Sequence, residues 1–140
     1  MSQPIHATAV ARFGPGGWRG ALLRGPSGAG KSDLALRLID AGWRLVADDY
    51  AHVWASGEGI YACAPDRIAG WIEARGQGVL DAAYRPTTRV VLVVDCIQTP
   101  PERLPDPQWE TLAGVRLPRL ILDVRPASAS VQMGLAIDRL

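Results

Sequence analysis

The chain has 140 residues and a mass of 15.0 kDa, the size of one domain spanning residues 1–140, and at that length folding buries roughly two-thirds of the unfolded surface. A hydrophobic content of 48% with 21% charged residues is ordinary for a soluble globular protein and excludes disordered and low-complexity classes. The net charge of +1, with arginines scattered among acids, provides no basic stripe, so no nucleic-acid partner is expected.

Met1 to Val10 has no basic cluster followed by an apolar stretch, and the longest strongly apolar run, Val90 to Val94, is far too short to span a bilayer. No membrane association is expected, and the location implied is the cytoplasm. Ile5 to Arg12 alternates loosely and is followed by Gly14-Pro15-Gly16-Gly17, which predicts a strand, a turn and a second strand over Arg19 to Arg24. Ser32 to Ala41 carries Leu34, Ala35, Leu38 and Ile39 at helical spacing and stops at Gly42, which predicts an amphipathic helix.

Trp43 to Ala47 is a short apolar strand ending in Asp48-Asp49, and Ala51 to Ala55 with Ile60 to Ala62 form a hairpin pattern around Ser56-Gly57-Glu58-Gly59. Residues 63 to 88 are mixed. Arg89 to Cys96 and Leu120 to Val124 are strands of the buried type, separated by a segment with Pro100, Pro101, Pro105 and Pro107 that is expected to be mostly loop. Ser128 to Leu140 has helical character. Cys63 and Cys96 lack a C-x-x-C partner, which fits reduced, packed thiols better than a disulfide or a zinc site. The fold class is α/β, mostly strands around one central helix.

Chemistry concentrates in Gly25-Pro26-Ser27-Gly28-Ala29-Gly30-Lys31-Ser32, a G-x-x-x-x-G-K-[ST] loop between a predicted strand and a predicted helix. Phosphate oxygens need several donors at once, and the glycines let successive backbone N–H groups turn into one cavity. Lys31 is the only lysine of the chain, placed where a compact ammonium fits better than a planar guanidinium. The helix start points its positive end at the same place, and the Ser32 hydroxyl is positioned to ligate Mg²⁺. ATP and Mg²⁺ are therefore the expected cofactors.

The interval from Ser32 to Asp49 is just enough for the helix, a tight turn and one short strand, so Asp48 and Asp49 fall at the carboxyl end of that strand, facing the nucleotide crevice. Opposite directions of neighbouring side chains aim one acid at the metal and the other elsewhere. Glu73-Ala74-Arg75-Gly76-Gln77-Gly78 sets an acid, a base and two glycines together, a pattern that is weak on its own. Val90 to Asp95 looks like the apolar strand plus Asp that forms the second magnesium motif of ordinary phosphate-loop NTPases. Spacing leaves open whether Asp95 serves the metal or simply ends a strand.

Taken in order, Ile5-His6, the loop Gly25 to Ser32, Leu45-Val46-Ala47-Asp48-Asp49 and Ile72-Glu73-Ala74-Arg75-Gly76-Gln77-Gly78 resemble the catalytic domain of the HPr kinase/phosphorylase family, from His6 to about Pro126. The resemblance implies a phosphate-loop fold of the HPr kinase/PEP carboxykinase-like type, with a mixed sheet around the loop helix. It implies an ATP- and Mg²⁺-dependent, regulatory protein-serine kinase acting on an HPr-like phosphocarrier of the phosphotransferase system. Lys31 would bind phosphate, and Ser32 and Glu73 would serve Mg²⁺ with Asp48 on the metal side of the acidic pair. Asp49 would be the general base, assisted by His6 and by its charged neighbour Asp48. Arg103 falls roughly where the family has a catalytic arginine.

Two departures qualify the resemblance. The chain has no counterpart of the separate amino-terminal domain of many members and so resembles the short form seen in some proteobacteria. It reads Val124-Arg125-Pro126-Ala127-Ser128-Ala129 where the family has a glycine turn and an arginine tied to dephosphorylation, so the kinase activity is the expected half and the phosphorylase activity is in doubt. A homo-oligomer is implied by the family, although the chain stops before the family's carboxyl-terminal helix, which weakens the expectation of the long form's hexamer. The alternatives are a small-molecule kinase on the same loop and a nucleotide sensor without turnover.

Overall fold

The alternation of small apolar residues near the amino terminus builds a strand that changes partner halfway. The computed structural model describes residues 4–140; residues 1–3, part of the stretch read for a targeting segment, lie outside the described residues. In chain order the elements are β1 (Ile5–His6), β2 (Thr8–Gly14), β3 (Gly17–Arg24), α1 (Lys31–Asp40), β4 (Arg44–Ala47), β5 (Tyr50–Ser56) and β6 (Gly59–Cys63). A 3-10 turn (Asp66–Ile68) leads to β7 (Trp71–Ala74), β8 (Gly78–Asp81), β9 (Thr87–Ile97), β10 (Gln108–Leu112), β11 (Val115–Asp123) and α2 (Ala129–Asp138).

The one strand expected from Ile5 to Arg12 is interrupted at Ala7: β1 pairs antiparallel with β5, whereas β2 pairs antiparallel with β3 and β4. Strand β9 is the spine. It runs parallel to β3 on one edge, and on the other it meets β6 antiparallel over its first half and β11 parallel over its second. Because β1 runs on into β2, the path β5-β6-β9-β3 begins and ends on the same stretch of chain, and the sheet curls back on itself.

The inside of that curl is lined by Ala7, Ala9, Ala11, Ala47, Ala51, Ala62 and Ala64 with Leu22, Ile60, Val90 and Val93. Small side chains suit a tightly curved interior, where strands approach closely. On the other face, Val10, Ala21, Leu23, Leu92 and Val94 pack against Leu34, Ala35 and Leu38 of α1 and Met133 and Ile137 of α2. The helical spacing of the α1 residues produces this one-sided burial. Leu38 is fully buried, and truncating such a leucine to alanine costs about 2–5 kcal/mol.

The helical character read over Ser128 to Leu140 is α2, which packs on the sheet beside α1. Two readings of the strands change. Residues 71–81 form the separate hairpin β7–β8. The segment after Pro107 becomes a second hairpin, β10–β11, and β11 starts well before Leu120. Pro118 within β11 lies just before the pairing with β9 begins at Arg119, so its missing N–H is not needed on that side. Among the described residues no helix is long and apolar enough to cross a membrane, and both cysteines are free, Cys96 buried and Cys63 half-buried.

Candidate functional site

The carboxyl ends of β3 and β4, the amino end of α1, the β7–β8 hairpin and the residue after β9 enclose an open cleft of about 380 Å³. Ser27, Gly28, Gly30, Lys31 and Ser32 line it from the loop, facing Asp48, Asp49, Glu73, Arg75 and Gln98. Gly30 caps α1 at a φ of 95°, in the left-handed region, and a Cβ there would lie 2.7 Å from a methyl of Val124. Only glycine meets both conditions. Lys31 is buried, its Nζ donating to the carbonyls of Gly25 at 2.7 Å and Pro26 at 3.0 Å, so the ammonium sits inside the curl of its own loop. Gln98 donates from Nε2 to the Gly28 carbonyl at 3.1 Å and ties the loop to the end of β9.

The neighbouring aspartates are in different environments. Asp48 is buried and held through three donors: the Ser32 hydroxyl at 2.7 Å and the Thr8 hydroxyl at 3.3 Å on Oδ1, and the Glu73 backbone N–H at 3.0 Å on Oδ2. Asp49 turns the other way. Its φ is 69°, and the Tyr50 N–H donates to the Asp48 carbonyl at 2.8 Å, closing a γ-turn centred on Asp49. A non-glycine residue in this region carries local strain, of a kind found at functional sites. The carboxylate of Asp49 is half exposed and lies 2.7 Å from His6 Nε2. The His6 ring leans on Tyr50, with centroids 5.5 Å apart.

Thr8 joins the two acids. Its hydroxyl donates to Asp48 and accepts the Asp49 N–H at 3.0 Å, and the residue is fully buried. The break of the first strand at Ala7 thus has a purpose in the site: His6 ends β1 beside Asp49 and Thr8 begins β2 beside Asp48.

The structure therefore gathers His6, the loop Gly25 to Ser32, Asp48, Asp49 and Glu73 at one cleft. It does not bring Arg103 there: Arg103 is exposed in the proline-rich loop between β9 and β10 and does not line the cleft. Arg75 does, from the turn of the β7–β8 hairpin. Asp95 does not line the cleft and is gripped by Arg24 at 3.0 and 3.2 Å and by Arg119 at 2.5 Å. Burial pushes the Asp95 carboxyl up, but the hydrogen bonds from Arg24 and Arg119 outweigh it and hold the group below the usual carboxylate range. Sequence reasoning missed Thr8 and Gln98. Neither carries a local sequence signal, because each joins the site through contacts distant in the chain.

Among the described residues no three His, Cys, Asp or Glu side chains cluster as a metal cage. The oxygen donors Ser32, Asp48 and Glu73 around the cleft nevertheless fit Mg²⁺, which takes one or two carboxylates and relies on phosphate and water for the rest.

Residues 2–133 match the family model described as the HPr serine kinase C-terminal domain. The chain is 33% identical over 135 residues to an HPr kinase/phosphorylase of Geobacillus thermodenitrificans, covering 87% of this chain and 42% of that protein. It is 28% identical over 142 residues to one of Malacoplasma penetrans, covering 92% and 46%. The chain thus spans less than half the length of these curated relatives. Its fold matches the solved HPr(Ser) kinase/phosphatase of Coxiella burnetii with a TM-score of 0.81 at 23% identity, covering 99% of this chain and 90% of that one. With the phosphate loop, the divided acidic pair and the Glu73 hairpin all inside the matched span, the chain belongs to the HPr serine kinase C-terminal domain family.

Proposed function

We propose that this chain is an ATP- and Mg²⁺-dependent protein-serine kinase of the cytoplasm, one domain over residues 1–140, that phosphorylates an HPr-like phosphocarrier for a regulatory purpose. The observation that carries the proposal is the division of the acidic pair. Asp48 is buried against the Ser32 hydroxyl, on the nucleotide side, while Asp49 is half exposed at the rim of the cleft with His6 on its carboxylate. A base at an open rim suits a hydroxyl presented by a protein surface better than a small metabolite enclosed in a pocket.

In this reading the loop amides and Lys31 hold the β- and γ-phosphates. Ser32, Asp48 and Glu73 would hold Mg²⁺, which supplies charge neutralisation of the phosphates when bound. Asp49 accepts the proton of the acceptor serine as the serine oxygen bonds to the γ-phosphorus in line and the bond to the β,γ-bridging oxygen breaks, ADP being the leaving group, and His6 orients that carboxylate. Arg75, lining the cleft, is the guanidinium proposed to meet charge on the transferring oxygens, in place of Arg103.

The test is incubation of purified protein with γ-labelled ATP, Mg²⁺ and HPr-like carriers, followed by mass mapping of the modified residue. Label on a carrier serine, with transfer reduced about 10²–10⁴-fold in a folded Asp49→Asn protein, is the expected result. Nucleotide binding without label on any carrier would sink the proposal, and full activity of Asp49→Asn would sink the base assignment.

A further inference from the structure

Beneath the phosphate loop, on the sheet face away from the helices, lies a charged cluster that the chemistry above does not use. Arg24, the residue immediately before Gly25, reaches Asp95 on the neighbouring strand with Nε to Oδ1 at 3.0 Å and Nη2 to Oδ2 at 3.2 Å, and the same Nη2 donates to Glu110 Oε2 at 2.7 Å. Arg119 closes the cluster from β11, with Nε on Asp95 Oδ2 at 2.5 Å and Nη1 on Gln108 Oε1 at 2.6 Å. The four charged side chains are 22% to 31% exposed, and their charges cancel.

Position decides what the cluster does. The chain leaves Arg24 directly into Gly25, whose carbonyl accepts the Lys31 ammonium. A Cβ at Gly25 would lie 3.1 Å from the carbonyl oxygen of Cys96, the residue after Asp95. The entry to the loop is therefore clamped from two directions, by backbone contact with β9 and by the guanidinium fork on Asp95. A fork bound bidentate to one carboxylate and singly to another fixes the strand end against both sliding and rotation, which a single ammonium would not do. Arg119 also matters, because it keeps Asp95 paired if Arg24 is removed. Loss of Arg24 therefore leaves Asp95 paired and releases only Glu110, whose side chain is 30% exposed and reaches water, so the fold is buffered where the loop is not.

We infer that Arg24 is a positioning residue for nucleotide binding, setting the first turn of the phosphate loop through Asp95 and Glu110. The inference rests on the reading of Gly25 to Ser32 as a nucleotide site and is independent of the acceptor. The experiment is titration calorimetry of MgADP binding to the full chain, with thermal unfolding in parallel, for the wild type, Arg24→Met, Arg24→Lys and Arg12→Met. Arg12 pairs with Asp138 and lies over the Trp43 ring, does not line the cleft, and reports the loss of an arginine's pairing away from the loop.

The expected result is about tenfold weaker MgADP binding in folded Arg24→Met, within the range by which networked residues couple. Arg24→Lys should fall between, and Arg12→Met should bind as the wild type does. A stability loss in Arg24→Met with affinity within twofold of the wild type would reduce Arg24 to a structural ion pair and overturn the inference. Should Arg24→Met not fold, Glu110→Gln loosens the same fork from its outer side and must weaken MgADP binding by itself. A wild type that binds no MgADP overturns the nucleotide reading and this inference with it.

Discussion

Replacing Thr8 with valine keeps the shape of the side chain and removes one hydroxyl. In the structure that hydroxyl is fully buried, accepts the Asp49 N–H at 3.0 Å and donates to Asp48 at 3.3 Å. The second contact is long and contributes little, so the cost comes mainly from the Asp49 N–H left without a partner, about 2 kcal/mol. For a chain of this length that corresponds to a fall in Tm of about 6–8 °C. The functional consequence is larger, because Asp49 is held in a strained turn and Thr8 holds the backbone on which its carboxylate stands. A displacement of about 1 Å at a reacting group costs roughly 10²-fold in rate. Lys31 and the loop bonds are untouched, so MgADP affinity should not change. Thermal unfolding, calorimetry with MgADP and carrier phosphorylation separate these effects, with Thr8→Ser recovering most of the rate. A Thr8→Val protein that transfers phosphate at the wild-type rate, or one whose defect lies wholly in nucleotide affinity, would refute the reasoning.

Arg75→Gln should lower carrier phosphorylation by about 10²-fold or more, as expected for a lost transition-state donor, while Arg103→Gln should have a small effect; the reverse order in steady-state rates would restore Arg103 to the site. Asp95 is held below the usual carboxylate range, so the stability it contributes is present above its unfolded value and is lost as pH falls through the folded one. Tm measured against pH should show wild type exceeding Asp95→Asn at neutrality, with the gap closing below about pH 4; a gap of constant width would contradict the ion-pair account. Burial pushes the Cys96 thiol up to about 12, more than the nearby Lys31 charge lowers it. Iodoacetamide at pH 8 should therefore label Cys63 ahead of Cys96 in the native protein, and peptide mapping that finds native Cys96 alkylated would show the core beneath the loop to be open.

Much of the site was legible because its chemistry is local in sequence. Eight consecutive residues make the phosphate loop, a helical stripe follows it, and one short strand carries the chain to Asp48-Asp49. Those distances are set by helix rise and strand length, and no tertiary information is needed to place the acids near the phosphates. Thr8 and Gln98 were not legible, because their partners lie across strand pairings that only the curl of the sheet creates. Arg75 and Arg103 were both visible as arginines, and composition does not say which one faces the cleft. The β10–β11 hairpin was hidden by proline density: Pro100 to Pro107 do form a loop, yet Trp109 and Thr111 beyond them already alternate as a strand. Asp95 was left open between metal ligand and strand acid, because its partners Arg24 and Arg119 come from strands distant in the chain.

The left-handed turn at Asp49 explains how two adjacent carboxylates avoid doing the same work. In a regular strand, alternation would send Asp48 and Asp49 to opposite faces, and one would point away from the cleft altogether. The γ-turn keeps both at the cleft while separating their surroundings, so that one is a buried acceptor of three hydrogen bonds and the other a half-exposed carboxylate with a histidine. A carboxylate that already accepts three hydrogen bonds has little room for another donor, whereas one beside a single imidazole keeps lone pairs free for an incoming hydroxyl. The strain in the Asp49 backbone is thus the physical cause of the division of labour, and Thr8, bonded to both residues, is what holds that strain in place.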